Sequence, residues 1–273
     1  MGCSTTLLLA ALLAADQNAP ATEAPADDEA LTDDKASAND PATEAGVAPV
    51  ELIPRLELRQ SFVRLPGGVA AHVTTTELDI AFLRRVLLRY QGHIRVLSGP
   101  NGQVSGFGDA EVQAVGLLAS SQRFVAVAIA GAVLDSASQP ELGTGKTQLV
   151  FGGAAALSPV RWWLPYLIIQ EQFSVAGAAA RPDINQLVVR FGNIVFGPGF
   201  SWYKLDFDGV TDFEQEKGRL FGQIEVGSLL VGRVGLFMRS GTQLVGTEQV
   251  DYSVEVGLRY LFRLAKGKPS EMK

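Results

Sequence analysis

The chain has little of what catalytic and metal sites need: one cysteine and two histidines among 273 residues. Cys3 lies in the N-terminal segment, so the rest of the chain holds no thiol and no disulfide. Neither His72 nor His93 has a second ligand at metal-binding spacing, so no metal site is expected. Charged residues make up only 19% of the chain, and none of its segments indicates the concentrated basic surface that binds nucleic acid.

The sequence motifs of enzymes are missing as well. The stretch Gly143-Thr144-Gly145-Lys146-Thr147 is like the end of a phosphate-binding loop. That motif requires a glycine five positions before Gly145, where this chain has Pro140. The sequence also lacks the G-x-S-x-G motif of nucleophilic serines. We therefore expect no enzymatic activity and no bound cofactor.

Long hydrophobic runs are the third absence. Outside the N-terminal segment, no apolar run reaches the eighteen or so residues that a membrane helix needs. Residues 1–15 have the length and composition of a secretory signal but lack its positively charged start. Met1–Thr6 also matches the loose myristoylation pattern, so a cleaved signal and a lipid anchor on Gly2 or Cys3 are both open interpretations.

Residues 16–50 form an acidic, Ala/Pro-rich stretch with nine acidic residues and one lysine. It has too few large apolar residues to offset the entropy of ordering, so we predict a disordered tether. The tether carries a net charge of −8, whereas the whole chain carries −6, which leaves about +2 for residues 51–273. The acidity of the chain therefore belongs to the tether, and the predicted folded part is close to neutral.

Alternation of polar and apolar residues is the main signal in residues 51–263, and Asp251–Phe262 shows it most clearly. Successive side chains of a strand point to opposite faces, so this segment has one apolar and one largely polar wall. Its twelve residues suffice to cross a bilayer, because a tilted strand needs about nine to eleven. We predict a transmembrane β-strand whose aromatic ends, Tyr252 and Phe262, lie at the two membrane interfaces.

Similar segments recur between clusters of Gly, Pro, Asn, Asp and Ser, and they predict about twelve strands, with ten to fourteen as the range. An all-β fold, an antiparallel transmembrane β-barrel, accounts for them because closure leaves no strand edge exposed. A helix competes with the strand at Ala81–Tyr90. In Phe124–Leu134 one face is mostly alanine, which we interpret as a crowded barrel interior. The predicted strands are Leu56–Val63, Val73–Leu83, Leu87–Leu97, Asp109–Leu118, Phe124–Leu134, Thr147–Ser158, Leu164–Val175, Asn185–Phe196, Phe200–Phe207, Leu220–Leu230, Val231–Leu244 and Asp251–Phe262.

The polar faces of the clearest segments supply the candidate lumen-lining residues. Both signs of charge occur in similar numbers, so such a wall could line a water-filled pore or pair internally and fill the barrel. Glu225 and Glu255 are each expected within one strand of an arginine, in an inward ladder with Arg233, Arg239 and Arg259. The candidates are Arg89, His93, Arg95, Asp109, Glu111, Gln223, Glu225, Arg233, Arg239, Glu255 and Arg259.

Aromatic residues fall at several predicted strand ends, namely in Trp162–Tyr166, in Trp202-Tyr203 and at Tyr260. Trp and Tyr favour the boundary between membrane and water, where the ring is buried and its polar group stays hydrated. We therefore predict that these residues belong to the interfacial aromatic belts of the barrel.

Three stretches resemble the outer-membrane channel family named after the meta-pathway of phenol degradation. They are Gly106-Phe107-Gly108-Asp109, Leu142-Gly143-Thr144-Gly145-Lys146, and the passage from Glu171 through Asn185-Gln186-Leu187 to Phe200. The resemblance covers residues 100–205 approximately. It implies a β-barrel channel with a role in the uptake of small hydrophobic or aromatic solutes, and it implies no catalytic residues.

Two functions are consistent with these observations. The first is an outer-membrane channel of a Gram-negative-type envelope, placed in the lipid bilayer by the outer-membrane assembly machinery and passing small solutes by passive diffusion. The second is a non-conducting structural or binding barrel whose acidic tether contacts another envelope component. Residues 264–273 follow the last strand as a polar C-terminal extension.

Overall fold

The structure is a computed structural model that describes residue 48 and residues 52–262, with gaps at 84, 101, 122, 232 and 247–249. The predicted signal-like segment, the C-terminal extension and all of the predicted tether except Ala48 lie outside the described residues. Within the described ranges, no helix is long and apolar enough to cross a membrane.

The described chain is built almost entirely of antiparallel strands, joined by turns and by three one-turn 3-10 segments at Pro66–Gly68, Pro140–Leu142 and Pro198–Phe200. In chain order, the strands are β1 (Arg55–Arg64), β2 (Ala70–Leu83), β3 (Val86–Gly99), β4 (Gly102–Phe107), β5 (Ala110–Ser120), β6 (Phe124–Leu134), β7 (Lys146–Leu157), β8 (Trp163–Gly177), β9 (Asn185–Phe196), β10 (Ser201–Asp212), β11 (Lys217–Val231), β12 (Val234–Gly246) and β13 (Tyr252–Leu261). In the described part of Ala81–Tyr90, where a helix competed on sequence grounds, strand forms on both sides of a turn at Arg85.

The sheet closes on itself because β13 pairs with β1 as well as with β12. On the other side of the ring, β3 pairs through Val86–Gln91 with β5 and through Ile94–Gly99 with β4. The short strands β4 and β5 are therefore two halves of one strand of the wall. The fold is a closed antiparallel barrel of twelve strands, as predicted.

The break between β4 and β5 changes which residues point inward. Arg95 of β3 lies opposite Gly106, whereas Gln91 of β3 lies opposite Glu111. On β4, before the break, the even-numbered residues therefore point inward. On β5, after the break, the odd-numbered residues point inward. Gly108 keeps the break attached to β3, since its N–H donates to the His93 carbonyl at 2.9 Å. This is the geometry of a β-bulge, which inserts an extra residue and re-aims the side chains.

The two faces of the wall differ sharply in polarity. In β1, Leu58 points outward and is 49% exposed, whereas its neighbour Glu57 points inward and is 2% exposed. In β13, Val256 is 47% exposed and Arg259 only 4%. A closed barrel with exposed aliphatic side chains outside and buried polar ones inside is a transmembrane barrel, because lipid solvates the apolar face.

The two ends of the barrel also differ. One end of the barrel carries the start of β1 and the end of β13, and it is called the terminal end here. Its turns are short; for example, Val231 of β11 pairs with Val234 of β12, so only two residues form the reversal between them. At the opposite end, called the loop end, lie the two longest described connections, residues 135–145 and 178–184. Trp162 and Trp163 are exposed at the terminal end, and Tyr203 and Tyr260 are exposed on the outer face. Tyr166 and Trp202 do not join them: both are buried and point inward, contrary to their predicted place at the interface.

The interpretation of the alanine face in Phe124–Leu134 is wrong. Ile129 pairs with Val115, and Gly131 pairs with Gln113, so the odd-numbered residues of β6 point inward. The alanines of β6 therefore point outward, toward lipid. The reason is the register with β5: Glu111 and Gln113 occupy the inner face there, and register fixes the face of every residue on the next strand.

Candidate functional site

The inner wall carries a row of alternating charges across four consecutive strands. Register places Lys204 of β10 beside Glu225 of β11, then Arg239 of β12, then Glu255 of β13. Arg239 Nη2 lies 2.5 Å from Glu225 Oε2, and Arg239 Nη1 lies 3.0 Å from Glu255 Oε1. The other oxygen of Glu255 accepts a hydrogen bond from the Ser61 hydroxyl of β1 at 2.6 Å. A single arginine thus binds both carboxylates of the predicted ladder.

Arg233 was expected in that ladder, but it lies elsewhere. The pairing of Val231 with Val234 puts Arg233 in the reversal between β11 and β12, at the terminal end of the barrel. Strand alternation assigns a face only to residues within a strand, and β12 begins at Val234. Lys204, which the sequence patterns did not single out, supplies a cation to the row instead.

A second group of charges lies on β1, β2 and β3, and it continues the row around the wall. Glu77 accepts from Arg55 Nη2 at 2.8 Å and from Arg59 Nη2 at 3.1 Å. Asp79 receives two hydrogen bonds from Arg89, at 2.8 and 2.9 Å, which is the strong bidentate geometry. Arg259 Nε of β13 lies 2.7 Å from Glu57 Oε2 of β1 and links the two groups.

The remaining candidate residues also lie on the barrel wall. Glu111 and Gln223 point inward, and each hydrogen-bonds within the wall: Gln113 of β5 donates to Glu111, and Gln223 donates to Asp206 and Asp208 at 3.3 Å. His93 and Arg95 point inward on β3, near the break between β4 and β5. Thr75 of the neighbouring strand β2 contacts His93, with Thr75 Oγ1 3.0 Å from His93 Nδ1.

Arg95 has a sparser environment than the other lumenal arginines. Its Nη1 donates to the Leu142 carbonyl at 3.0 Å, but its buried Nε has no acceptor among the described residues. The buried Nε of Arg59, two strands away, also has no acceptor among the described residues. These two buried donors without acceptors, beside Thr75 and His93, make this the least saturated part of the hydrogen-bonded inner wall among the described residues.

Glycines let aromatic rings lie flat against the inner wall. Phe237 of β12 covers Gly257 of β13, where a Cβ would collide with its ring, and Trp202 of β10 covers Gly227 of β11 in the same way. Trp202 Nε1 donates to Glu225 at 2.8 Å, which satisfies the buried indole. The guanidinium of Arg259 lies over both rings, 5.4 Å from Trp202 and 5.1 Å from Phe237. The rings therefore follow the wall and do not project straight across the lumen.

The opposite wall, formed by β5 to β9, is mainly aliphatic and amide-bearing. Among its described inward-facing residues the charged ones are Glu111, Lys146 and Arg190, and Arg190 is paired with Asp208 of β10. Near the terminal end this wall contributes most of a buried apolar cluster, which Leu87 of β3, Trp202 of β10 and Phe237 of β12 complete. The residues from this wall are Val115, Val127, Ile129, Ala154, Ala156, Leu164, Tyr166, Ile168, Ile194 and Phe196. The lumen is thus two-sided, with a charged arc facing an apolar one.

The loop 135–145 is fastened over the break between β4 and β5. Phe107 N donates to the Ser138 hydroxyl at 2.9 Å, and Gln139 donates to the Ser105 carbonyl at 3.0 Å. Asp109 accepts from both the backbone and the side chain of Thr144. Two of the motifs that carry the family resemblance, the turns around Gly106–Asp109 and Leu142–Lys146, therefore contact one another and form one structural unit.

The lumen-lining candidates that we predict from the sequence do not include most of the inward-facing charged residues on β1, β2 and β10. Arg55, Glu57, Arg59, Glu77 and Asp79 alternate with apolar residues just as the recognised segments do. Their strands were among the predicted ones, so the same period-two pattern could have identified them. Arg190 and Asp208 lie in less regular stretches, and only the register shows that they face inward.

Of the comparisons with known proteins, the one with solved structures identifies the fold. No family model matches the chain, and no curated protein matches it. Among solved structures it is similar to the COG4313 outer membrane channel from Pseudomonas putida F1, with a TM-score of 0.60 at 12% identity over 77% of this chain and 94% of that one. It is also similar to the NanC porin, with a TM-score of 0.56 at 7% identity over 77% and 100% of the two chains. The KdgM porin gives 0.53 at 9% identity over 77% and 99%. The chain has the fold of outer-membrane channel and porin barrels.

Proposed function

We propose that this protein is an outer-membrane channel that passes small solutes by passive diffusion. The observation that carries the proposal is the polarity of the closed wall, with aliphatic side chains outside and a charged, hydrogen-bonded arc inside. Outer-membrane barrels have short periplasmic turns and longer extracellular loops, which assigns the terminal end to the periplasm and the loop end to the outside.

The two-sided lumen favours solutes that have an apolar face and a polar or zwitterionic end. The charged arc alternates in sign and so attracts neither anions nor cations as a class, but it offers both donors and acceptors to a dipolar group. The aliphatic wall of β6 to β9 can contact an aromatic or alkyl group at the same time. The resemblance to the phenol meta-pathway family supports the same class of small aromatic solutes.

Liposome swelling tests the channel and its preference together. Phenylalanine and glutamine both cross lipid poorly and share the zwitterionic end, but only phenylalanine has an apolar ring. We expect the reconstituted protein to pass phenylalanine faster than its size alone allows, relative to glutamine. The substitution Ile168→Asn, on the aliphatic wall, should reduce that preference and leave the glutamine rate unchanged. Folded protein that passes neither solute and is silent in planar bilayers would contradict the channel function.

A non-conducting barrel is the second candidate, and a specific observation favours it. Several side chains inside the lumen, among them Asp79, Trp202, Asp206 and Glu225, are at most 1% exposed, so parts of the interior are filled. In that case the predicted acidic tether, residues 16–50, would contact another envelope component. Deletion of residues 16–50 should then abolish capture of that partner and leave heat-modifiable gel mobility unchanged.

A further inference from the structure

A small cavity lies on the inner wall of β9, β10 and β11 near the loop end of the barrel. Its volume is about 40 Å³, which gives room for about three water molecules. Register pairs Val210 with Arg219, and Asp212 with both Gln186 and Lys217, so these side chains share the inner face. The side chains that line the cavity belong to Gln186, Val210, Asp212, Gln215, Lys217 and Arg219.

The carboxylate of Asp212 is held in one orientation by neutral donors. Its Oδ1 accepts the backbone N–H groups of Glu214 and Gln215, both at 3.0 Å, and its Oδ2 accepts Gln186 Nε2 at 2.9 Å. The residue is only 6% exposed. In the part of the chain that the structure describes, no cation lies within ion-pair distance of this carboxylate. Asp212 therefore presents a fixed negative charge at the cavity that no neighbour neutralises.

Arg219 supplies an unpaired positive charge to the same cavity. It is partly buried, and none of the described residues places an acceptor within hydrogen-bond distance of its guanidinium. Asp208, which lies deeper on β10, is paired with Arg190. Lys217 Nζ donates to the neutral Gln215 Oε1 at 3.3 Å. The cavity thus differs from the charged row of the inner wall, because its opposite charges are not bound to one another.

We propose that this cavity binds the charged end of an α-amino acid, with the carboxylate of the solute at Arg219 and its ammonium at Asp212. A simple acid or a simple amine would leave one of the two charges uncompensated, whereas a zwitterion pairs with both. Val188 and Val210 are opposite one another in the register of β9 and β10 and offer apolar contact to the side chain of the solute. The inference rests on the proposed channel function, since it names the class of solute that this mouth of the channel admits.

Ligand-observed NMR on the folded protein in detergent micelles tests the site without any current. L-Phenylalanine carries both charges, phenethylamine carries only the ammonium, and 3-phenylpropionate carries only the carboxylate. We expect phenylalanine to bind at least about tenfold more tightly than either analogue, because each charge-assisted hydrogen bond adds to affinity. Equal affinity for the three ligands, or no binding of phenylalanine by the folded protein, would overturn the site.

Two substitutions separate the two charges. Arg219→Gln should weaken the binding of phenylalanine about tenfold and leave that of phenethylamine unchanged. Asp212→Asn should also weaken phenylalanine but leave 3-phenylpropionate unchanged. Arg123→Gln is the matched control, because it makes the same change of charge in the exposed turn between β5 and β6, at the terminal end. A loss in Arg123→Gln as large as in Arg219→Gln would mean a general effect of charge and would also overturn the site.

Heat-modifiable gel mobility shows which variants are folded. If Asp212→Asn does not fold, because Asp212 also holds the turn at Glu214 and Gln215, the response of Arg219→Gln to phenylalanine and phenethylamine decides alone. If phenylalanine binding depends on Arg219 and the reconstituted protein passes no solute, the site stands and the channel function fails. If solutes pass and Arg219→Gln binds phenylalanine as the unmodified protein does, the channel function stands and the site is wrong.

Discussion

The carboxylate of Asp109 accepts two hydrogen bonds from Thr144, one from its backbone N–H at 2.6 Å and one from its hydroxyl at 2.9 Å. The same carboxylate accepts a third hydrogen bond from Ala137 N at 3.3 Å. Both ends of the loop 135–145 are therefore attached to one side chain at the break in the wall. Gly143 lies so close to that side chain that a Cβ at this position would collide with it.

Asp109→Ala should release this loop. Each backbone N–H that loses an ionised acceptor costs about 1–3 kcal/mol unless water replaces it, and the loop then samples several positions over the pore. We expect noisier open-channel currents and faster proteolysis between residues 135 and 145. Thr144→Ser keeps both hydrogen bonds and should behave as the unmodified protein; equal noise in all three proteins would contradict the role of Asp109.

Arg239→Ala should destabilise the barrel strongly. It leaves Glu225, which is 1% exposed, without the arginine that binds it, and loss of one member of a buried ion pair costs about 3–5 kcal/mol. The double variant Arg239→Met with Glu225→Gln removes both charges and should recover most of that loss. The urea midpoint in detergent micelles measures the effect, and a double variant as unstable as the single one would show that packing dominates over charge.

Val256 and Glu255 are neighbours that point to opposite faces of β13. An arginine on the lipid face at mid-bilayer costs roughly 2–4 kcal/mol, so Val256→Arg should impair folding into vesicles. Glu255→Gln keeps its size and its contact with Ser61, and should fold normally with altered ion selectivity. Folding yield from urea into vesicles is the measurement. Equal impairment would mean that the faces are wrongly assigned.

Gly257→Leu should narrow the channel. A side chain at Gly257 collides with the ring of Phe237 and forces it away from the wall into the lumen. Gly116 is a matched control, because it points outward and a Cβ there meets no atom within 4 Å. We expect lower conductance for Gly257→Leu and unchanged conductance for Gly116→Leu. Heat-modifiable gel mobility shows whether both variants are folded.

The loop 178–184 should be insensitive to mild acid. The hydrogen bond from Lys146 Nζ, at 2.7 Å, lowers the pKa of the Asp183 carboxyl below its usual value. A carboxyl with a depressed pKa contributes stability above its unfolded pKa and loses it as pH falls through the folded pKa. Protease sensitivity of this loop should therefore stay constant from pH 7 to 5 and rise only in stronger acid, and Asp183→Asn should raise it at neutral pH. The effect is small, since the side chain of Asp183 is largely solvent-exposed.

Most of the fold and part of the candidate site can be predicted from the sequence. Alternation in segments such as Asp251–Phe262 predicts both the strand and the face of each residue, because period two is local. The inward face of β6 cannot be predicted from its own residues, because both of its faces are apolar. Only the pairing of β6 with β5, which carries Glu111 and Gln113 on its inner face, decides which side chains of β6 point inward. Trp202 was misplaced for a related reason, since its burial depends on Gly227 of the next strand.

The contacts of the loops were beyond prediction from sequence. The bond between Asp109 and Thr144 joins residues that are 35 positions apart, and the sequence gives no sign of their proximity. The burial of Ala48 is equally hidden, because residues 16–50 have too few large apolar residues to predict a buried contact.

The bulge between β4 and β5 has a consequence for how such a wall can change in evolution. Inserting one residue into an ordinary strand turns every following side chain to the opposite face, which would expose charges to lipid. At Gly108 and Asp109 the side chains already change faces without exposing charges to lipid, and the loop 135–145 covers the irregular backbone there. This point of the barrel can therefore tolerate a change in length that the other strands cannot, and variation in pore shape among related chains should concentrate there.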